Sequence, residues 1–198
     1  MKKIPTLFER VFENHKVVGI TNKVTPGMEW VLEGQGVATV KWDGSCCAII
    51  NGELYKRYDA KNGKKPPEGA IPCCDPDPVT GHHPHWVKVD AKNPDDKWFI
   101  KAYENTFFKG YSSVLPSPVP ITYEAIGPHF NGNPQKCPID RLVQHGLQEV
   151  YMLERSFEGI FEYLRTAPIE GIVFWKDGEP MCKIKRTDFG FEWPVKEE

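Results

Sequence analysis

Five short pieces of the chain carry residues suited to moving a phosphoryl-linked group. The first is Lys41-Trp42-Asp43-Gly44. A free lysine, with a pKa of about 10.4, is an ammonium at neutral pH and a poor nucleophile. Burial and neighbouring cations favour the neutral amine, and a strand end before a glycine turn sets it at the edge of a cleft. The second is Lys56-Arg57-Tyr58-Asp59, where Arg57 can hold a ribose or a phosphate with its guanidinium fork. The third holds Glu124, a carboxylate in the apolar stretch Tyr123-Glu124-Ala125-Ile126-Gly127-Pro128, suited to a ribose hydroxyl or a metal ion. The fourth and fifth are Glu170-Gly171-Ile172-Val173 and Lys183-Ile184-Lys185. Side chains alternate along a strand, so Lys183 and Lys185 share a face. Two ammonium groups there suit a triphosphate, and Glu170 opposite them suits the divalent ion that neutralises it. Taken singly, each piece also has an ordinary reading. Lys41 is then a strand-end lysine, Arg57 a solvated arginine, Glu124 an edge glutamate, and the last two a common turn and strand.

The elements that must position these residues are mostly strands. Alternation and β-branched residues predict strands over Gly36 to Trp42, Cys46 to Ile50, Glu53 to Tyr58, Val119 to Ile126, Gly171 to Trp175 and Met181 to Lys185. Asn51-Gly52 and Lys176-Asp177-Gly178-Glu179 read as hairpin turns. Helical spacing of apolar residues predicts helices over Ile4 to Asn14, Asp140 to His145 and Met152 to Arg165. Residues 61 to 97 read as a long irregular segment, rich in proline and holding His82, His83 and His85. The pattern is α+β, with antiparallel sheets and peripheral helices.

The 198 residues suffice for one substantial core. A net charge of −2 shows no global basic signature for nucleic acid, although a local basic groove is invisible in such a sum. No stretch approaches the roughly 20 apolar residues of a membrane helix, and the N-terminus lacks the apolar run of a signal peptide. The six cysteines include two adjacent pairs and no Cys-x-x-Cys, which fits reduced thiols rather than disulfides or zinc. The expectation is a cytoplasmic protein, or a nuclear one in a eukaryote.

The order of the five pieces resembles the motif series of covalent nucleotidyltransferases, that is, ATP-dependent ligases and RNA capping enzymes. Four longer stretches narrow the likeness: TVKWDGSCC from Thr39, YKRYDAK from Tyr55, PCCDPDPVTGHHPHWV from Pro72 and YEAIGPHFNGNP from Tyr123. Together they resemble the single-domain ATP-dependent 5′-to-3′ RNA ligases, a vertebrate type with bacterial and viral relatives. The likeness runs roughly from residue 30 to residue 190. It implies an α+β nucleotidyltransferase domain, an ATP-grasp-like adenylylation domain, over residues 1–198. It implies that Lys41 attacks ATP to form lysyl-AMP, and that the AMP passes to an RNA 5′-phosphate before a 3′-hydroxyl closes the strand. Arg57 and Glu124 then hold the ribose or phosphate, Glu124 and Glu170 assist Mg2+ or Mn2+, and Lys183 and Lys185 hold the α-phosphate. Thr39 and Val40 then meet the adenine edge; the sequence does not assign the ring that stacks on adenine, with Phe130 and Trp175 among the options.

Thirteen residues follow Lys185. The expectation is therefore that no OB-fold follows, and that the catalytic domain itself grips the RNA as a monomer. His83, Trp86 and Lys88 are the candidates for that grip, with His82, His85 and Lys101 beside them, because aromatic and basic residues stack on bases and hold phosphates. The histidines are alternatively metal ligands or a solvated loop. The competing readings are a capping guanylyltransferase, an enzyme adenylylating another molecule, and a non-catalytic nucleotide- or RNA-binding module.

Overall fold

The computed structural model describes residues 3–60, 64–78, 80–107 and 117–196. In chain order the strands and helices are β1 (Phe8–Glu13), β2 (Lys16–Val24), β3 (Val37–Lys41), β4 (Ser45–Ile50), β5 (Glu53–Ala60), β6 (Ile71–Pro72), β7 (His83–Lys88), α1 (Lys97–Phe107), β8 (Ile121–Ile126), β9 (Arg141–Gln144), α2 (Phe157–Thr166), β10 (Gly171–Lys176) and β11 (Glu179–Lys185). All ladders between named strands are antiparallel, so the chain is α+β. It divides into two compact units, Met1–Lys3 with Asp43–His145, and Ile4–Trp42 with Gly146–Glu198.

The second unit holds a three-stranded sheet in the order β11-β10-β3 and the hairpin β1-β2. Asp177-Gly178 turns β10 into β11 with both residues at positive φ, 53° and 79°, as the sequence predicts. The core gathers Leu7, Phe8, Val31, Ile160, Leu164, Ile172, Phe174 and Ile184. Burying each such side chain contributes about 1.5–3 kcal/mol. Helix α2 begins at Phe157, later than Met152, because the Ser156 hydroxyl caps it by accepting from the Gly159 N–H at 2.9 Å. Its C-terminus is closed by the buried Arg186, whose guanidinium donates to the carbonyls of Leu164 and Ala167.

The predicted helix over Ile4 to Asn14 is instead an extended segment and strand β1. Pro5 and Leu7 pair with Lys183, and Phe8–Glu13 pairs with β2. The apolar residues do recur at helical spacing. However, Asn14 and His15 both adopt positive φ, 48° and 62°, and turn the chain back onto the β-branched run of β2. Pairing with β2 outweighs the local helical period.

The first unit holds a six-stranded sheet in the order β6-β7-β5-β4-β8-β9. The Asn51-Gly52 turn joins β4 and β5 as predicted. Two expectations fail here. Asp140 to His145 is strand β9, not a helix, because Arg141–Gln144 completes the sheet edge beside β8. The segment 61 to 97, of which 61–63 and 79 lie outside the described residues, is not irregular throughout. It contributes β6 and β7, and β7 pairs residue for residue with β5 from Tyr55↔Lys88 to Ala60↔His83. Helix α1, which the sequence reading did not mark, packs Trp98, Phe99, Ala102 and Tyr103 against the β4 and β8 face that presents Cys47, Tyr123 and Ala125.

Candidate active site

In the second unit the cross-strand register assembles the site. Gly171 of β10 lies opposite Lys41 on one side and Lys185 on the other, and Val173 lies opposite Thr39 and Lys183. Directly opposed residues point to the same face, so β3 and β11 present Lys41, Lys183 and Lys185 together. Glu170, 5% exposed, sits just before β10. Its Oε1 is 2.9 Å from Lys185 Nζ, and its Oε2 accepts from Lys41 Nζ. One carboxylate therefore clamps two lysines from the two strands that flank it. The Glu170 carbonyl accepts from the Arg186 N–H at 2.9 Å, which fixes the start of β10.

A second carboxylate, the buried Asp188, accepts from Arg10 Nη2 at 2.8 Å and from the Lys185 N–H at 2.9 Å. Four cations, Lys41, Lys183, Lys185 and Arg10, thus face two carboxylates. The surplus of positive charge makes this a place for an anion. The Lys183 backbone pairs with Pro5 and Leu7, but its ammonium has no hydrogen-bond or ion-pair partner among the described residues. Burial first, then the charges of Lys41, Lys185 and Arg10, lower its pKa from 10.5 to about 8, with Glu170 opposing.

That shift has a measurable consequence. Below about pH 8 the folded and unfolded chains both carry the Lys183 proton, and the full cost of holding the charged amine is present. Between about 8 and 10.5 the unfolded chain binds more protons, so this contribution raises stability as pH rises. Lys183→Met is expected to be more stable than the wild type at neutral pH by roughly 1–2 kcal/mol, the shift being discounted for partial exposure. The gap closes as pH rises through that window. Denaturant unfolding of both proteins across the pH series checks it.

The residues expected at the adenine edge make hydrogen bonds within the protein. Thr39 is 1% exposed, and its hydroxyl accepts from Trp175 Nε1 at 2.9 Å. The Val40 N–H donates to the Gln148 carbonyl at 2.8 Å. The Thr39 side chain and the Val40 N–H are therefore spoken for within the protein.

In the first unit, Glu124 of β8 is held at both oxygens. Oε1 accepts from the Gly44 N–H at 3.1 Å, and Oε2 lies 3.0 Å from His145 Nε2. His145 Nδ1 lies 3.0 Å from Thr122 Oγ1, so Thr122, His145 and Glu124 form one chain of hydrogen bonds. His145, at the end of the helix predicted over Asp140 to His145, instead follows strand β9 and reaches Glu124. A polar residue closing the alternating run Leu142-Val143-Gln144 was the available signal. Arg57 of β5 makes a two-point pair with Asp59, at 2.9 and 3.1 Å. Cys46, on β4, has its thiol pushed up to about 12 by burial first and then by Glu124, with Arg57 opposing. Arg57 and Glu124 thus act electrostatically on the same thiol.

Two ring assignments change. Trp86 is 1% exposed and packs with Ala48 and Ile50 in the core, so it offers no face to a base. Phe130 is 4% exposed and stands edge-on to Phe99, 5.2 Å between centroids, so it is not the ring on adenine. His83 is partly buried and its Nε2 lies within the protein without a hydrogen-bond partner. Lys88 is exposed and ion-paired to Glu53 on the neighbouring strand.

Among the described residues no group of three or more His, Cys, Asp or Glu side chains gathers to hold a metal. Glu170 is ion-paired to Lys41 and Lys185, and Glu124 lies against His145. No helix among the described residues is long and apolar enough to cross a membrane.

The architecture is antiparallel α+β with a lysine cluster on one sheet, and comparison with known proteins gives a likeness. No family model matches the chain. The chain is similar to a protein named RNA ligase 1 from Danio rerio, with 30% identity over 141 residues. That match covers 58% of this chain and 43% of the relative, so the chain spans less than half the relative's length.

Proposed function

We propose that this chain is an ATP-dependent RNA ligase that works through a lysyl-AMP intermediate. The observation that carries the reading is the cluster in the second unit. Lys41 and Lys185 meet on Glu170, the Lys183 ammonium on the same face has no ion-pair partner among the described residues, and the cations exceed the carboxylates. Transfer at phosphorus is mostly positioning and charge stabilisation, and these are the parts it needs.

In this reading the Lys41 amine attacks the α-phosphorus of ATP. An N–P bond forms, the bond to pyrophosphate breaks, and the amine gives up a proton. Lys183 and Lys185 hold the phosphate oxygens. The 5′-phosphate of an RNA end then takes the AMP, breaking the N–P bond. Finally a 3′-hydroxyl attacks that 5′-phosphate and AMP leaves. A divalent ion, magnesium or manganese, would supply neutralisation of the ATP phosphate charge when bound. Such ions are typically bound through one or two carboxylates plus the substrate phosphates, and Glu170 and Glu124 are the carboxylates assigned to it. Arg57 and Glu124 are assigned to the ribose from the order of the motifs. RNA as the acceptor is supported by the similarity to RNA ligase 1.

The test is a joining reaction with labelled 5′-phosphate RNA across a nick or an open end, with ATP and a divalent ion. The expected result is a longer product whose label resists phosphatase, formed with ATP and not with GTP. A GTP-specific adduct on Lys41 would make the chain a guanylyltransferase instead. No adduct with either nucleotide would overturn the catalytic reading altogether.

A further inference from the structure

The first unit carries a second built assembly, separate from Glu124 and Arg57. Its centre is Asp140, 5% exposed. His129 Nδ1 lies 2.8 Å from Asp140 Oδ2, and the His129 backbone N–H donates to Oδ1 at 3.1 Å. Gly127 permits this close turn. Its φ is 134°, and a Cβ there would lie 2.5 Å from Asp140 Cα and 2.6 Å from Oδ1. The imidazole lies flat on Trp98, with centroids 3.2 Å apart and planes 11° apart. Trp98 stands in the first turn of α1, where Lys97 Nζ is 4.8 Å from the indole centroid. The same helix is tied back to this corner by Asn105 Nδ2, which donates to the Asp140 carbonyl at 2.9 Å.

A buried carboxylate, a glycine-dependent turn and a ring stack together hold one imidazole in one orientation. Because Nδ1 faces Asp140, Nε2 faces away. It has no hydrogen-bond partner among the described residues and is not buried, and the side chain is 38% exposed. Lys97 is exposed and has no ion-pair partner among the described residues. Lys101, one helical turn on, lies 3.9 Å from Glu104 and is partly matched. A fixed outward ring nitrogen, a free ammonium and flat rings are the combination that holds the sugar–phosphate backbone of a single strand. Trp86, buried in the sheet, cannot supply such a platform.

We propose that Lys97, Trp98 and His129 form a docking site for the phosphate backbone of the RNA strand. The proposal rests on RNA being the acceptor, as argued above. The test measures fluorescence anisotropy of a short labelled single-stranded RNA with the full chain across a salt series, beside adduct formation from ATP alone. Lys97→Glu is expected to weaken RNA binding about tenfold and His129→Gln several-fold. Lys97→Ala is expected to lower the slope of log affinity against log salt by about 1. A merely structural role would leave that slope unmoved. Adduct formation from ATP stays within about twofold of the wild type in all three variants. If His129→Gln fails to fold in a thermal melt, the two exposed Lys97 variants decide. The proposal is overturned if wild-type chain shows no RNA affinity, or if the folded variants keep wild-type affinity and slope. An adduct on Lys41 without any effect of these variants sinks the docking site and leaves the ligase reading standing. Variant-sensitive RNA binding without any adduct does the reverse.

Discussion

Lys41→Ala is expected to abolish the AMP adduct completely, as read by intact mass after incubation with ATP and a divalent ion. The alanine variant should still fold, because Glu170 keeps Lys185 as its partner at 2.9 Å and the core side chains are untouched. Lys41→Arg makes the sharper control. A guanidinium can keep the ion pair with Glu170 but cannot be deprotonated to attack phosphorus. If charge alone mattered at this position, the arginine variant would retain function. If Lys41 is the nucleophile, both variants lose the adduct alike. An adduct of undiminished yield on Lys41→Ala would move the nucleophile elsewhere, and Lys183, with its pKa lowered to about 8, would be the residue to examine next.

Gly171→Ala is the second change of large expected effect. A Cβ at Gly171 would stand 2.2 Å from the Ile184 carbonyl oxygen and 2.9 Å from Lys185 Cα. Both are backbone atoms of the partner strand, so no side-chain rotation relieves the clash. Strand β11 must back away from β10 just where Lys41, Gly171 and Lys185 stand in register. Overpacking of this kind costs about 1–3 kcal/mol. The larger effect falls on activity, because a displacement of about 1 Å in a positioned site costs roughly a hundredfold in rate. Adduct formation in Gly171→Ala should fall by about that factor while denaturant unfolding shows only the smaller loss. A variant with wild-type rate would show that the spacing of Lys41 and Lys185 does not matter.

The parts of the fold that were legible in the sequence are those decided by neighbours along the chain. Asn51-Gly52 and Asp177-Gly178 make tight turns because those residue pairs tolerate positive φ, and the strands on either side alternate accordingly. The pairing of Lys183 with Lys185 on one face also follows from period-two alternation alone. Helix α2 was legible too, although its start was set by the Ser156 cap rather than by the apolar stripe. Where local signals were ambiguous, the outcome lay with distant partners. Ile4 to Asn14 satisfies a helical period, yet β2 and Lys183 offer it strand edges. Asp140 to His145 became β9 because β8 needed a neighbour.

The residue types of the candidate site were therefore written in the sequence: a lysine before a glycine turn, two glutamates and a Lys-x-Lys strand. Their arrangement was not. That Glu170 clamps Lys41 and Lys185 depends on Gly171 lying opposite both, a register fixed by backbone pairing across more than a hundred residues of chain. That Trp86 is a core residue, that His145 steadies Glu124 and that Asp140 aims His129 depend likewise on which strands and turns pack together. Alternation tells which residues share a face. Only the tertiary structure decides what that face meets, because burial and ion pairing are properties of contacts between residues far apart in the chain.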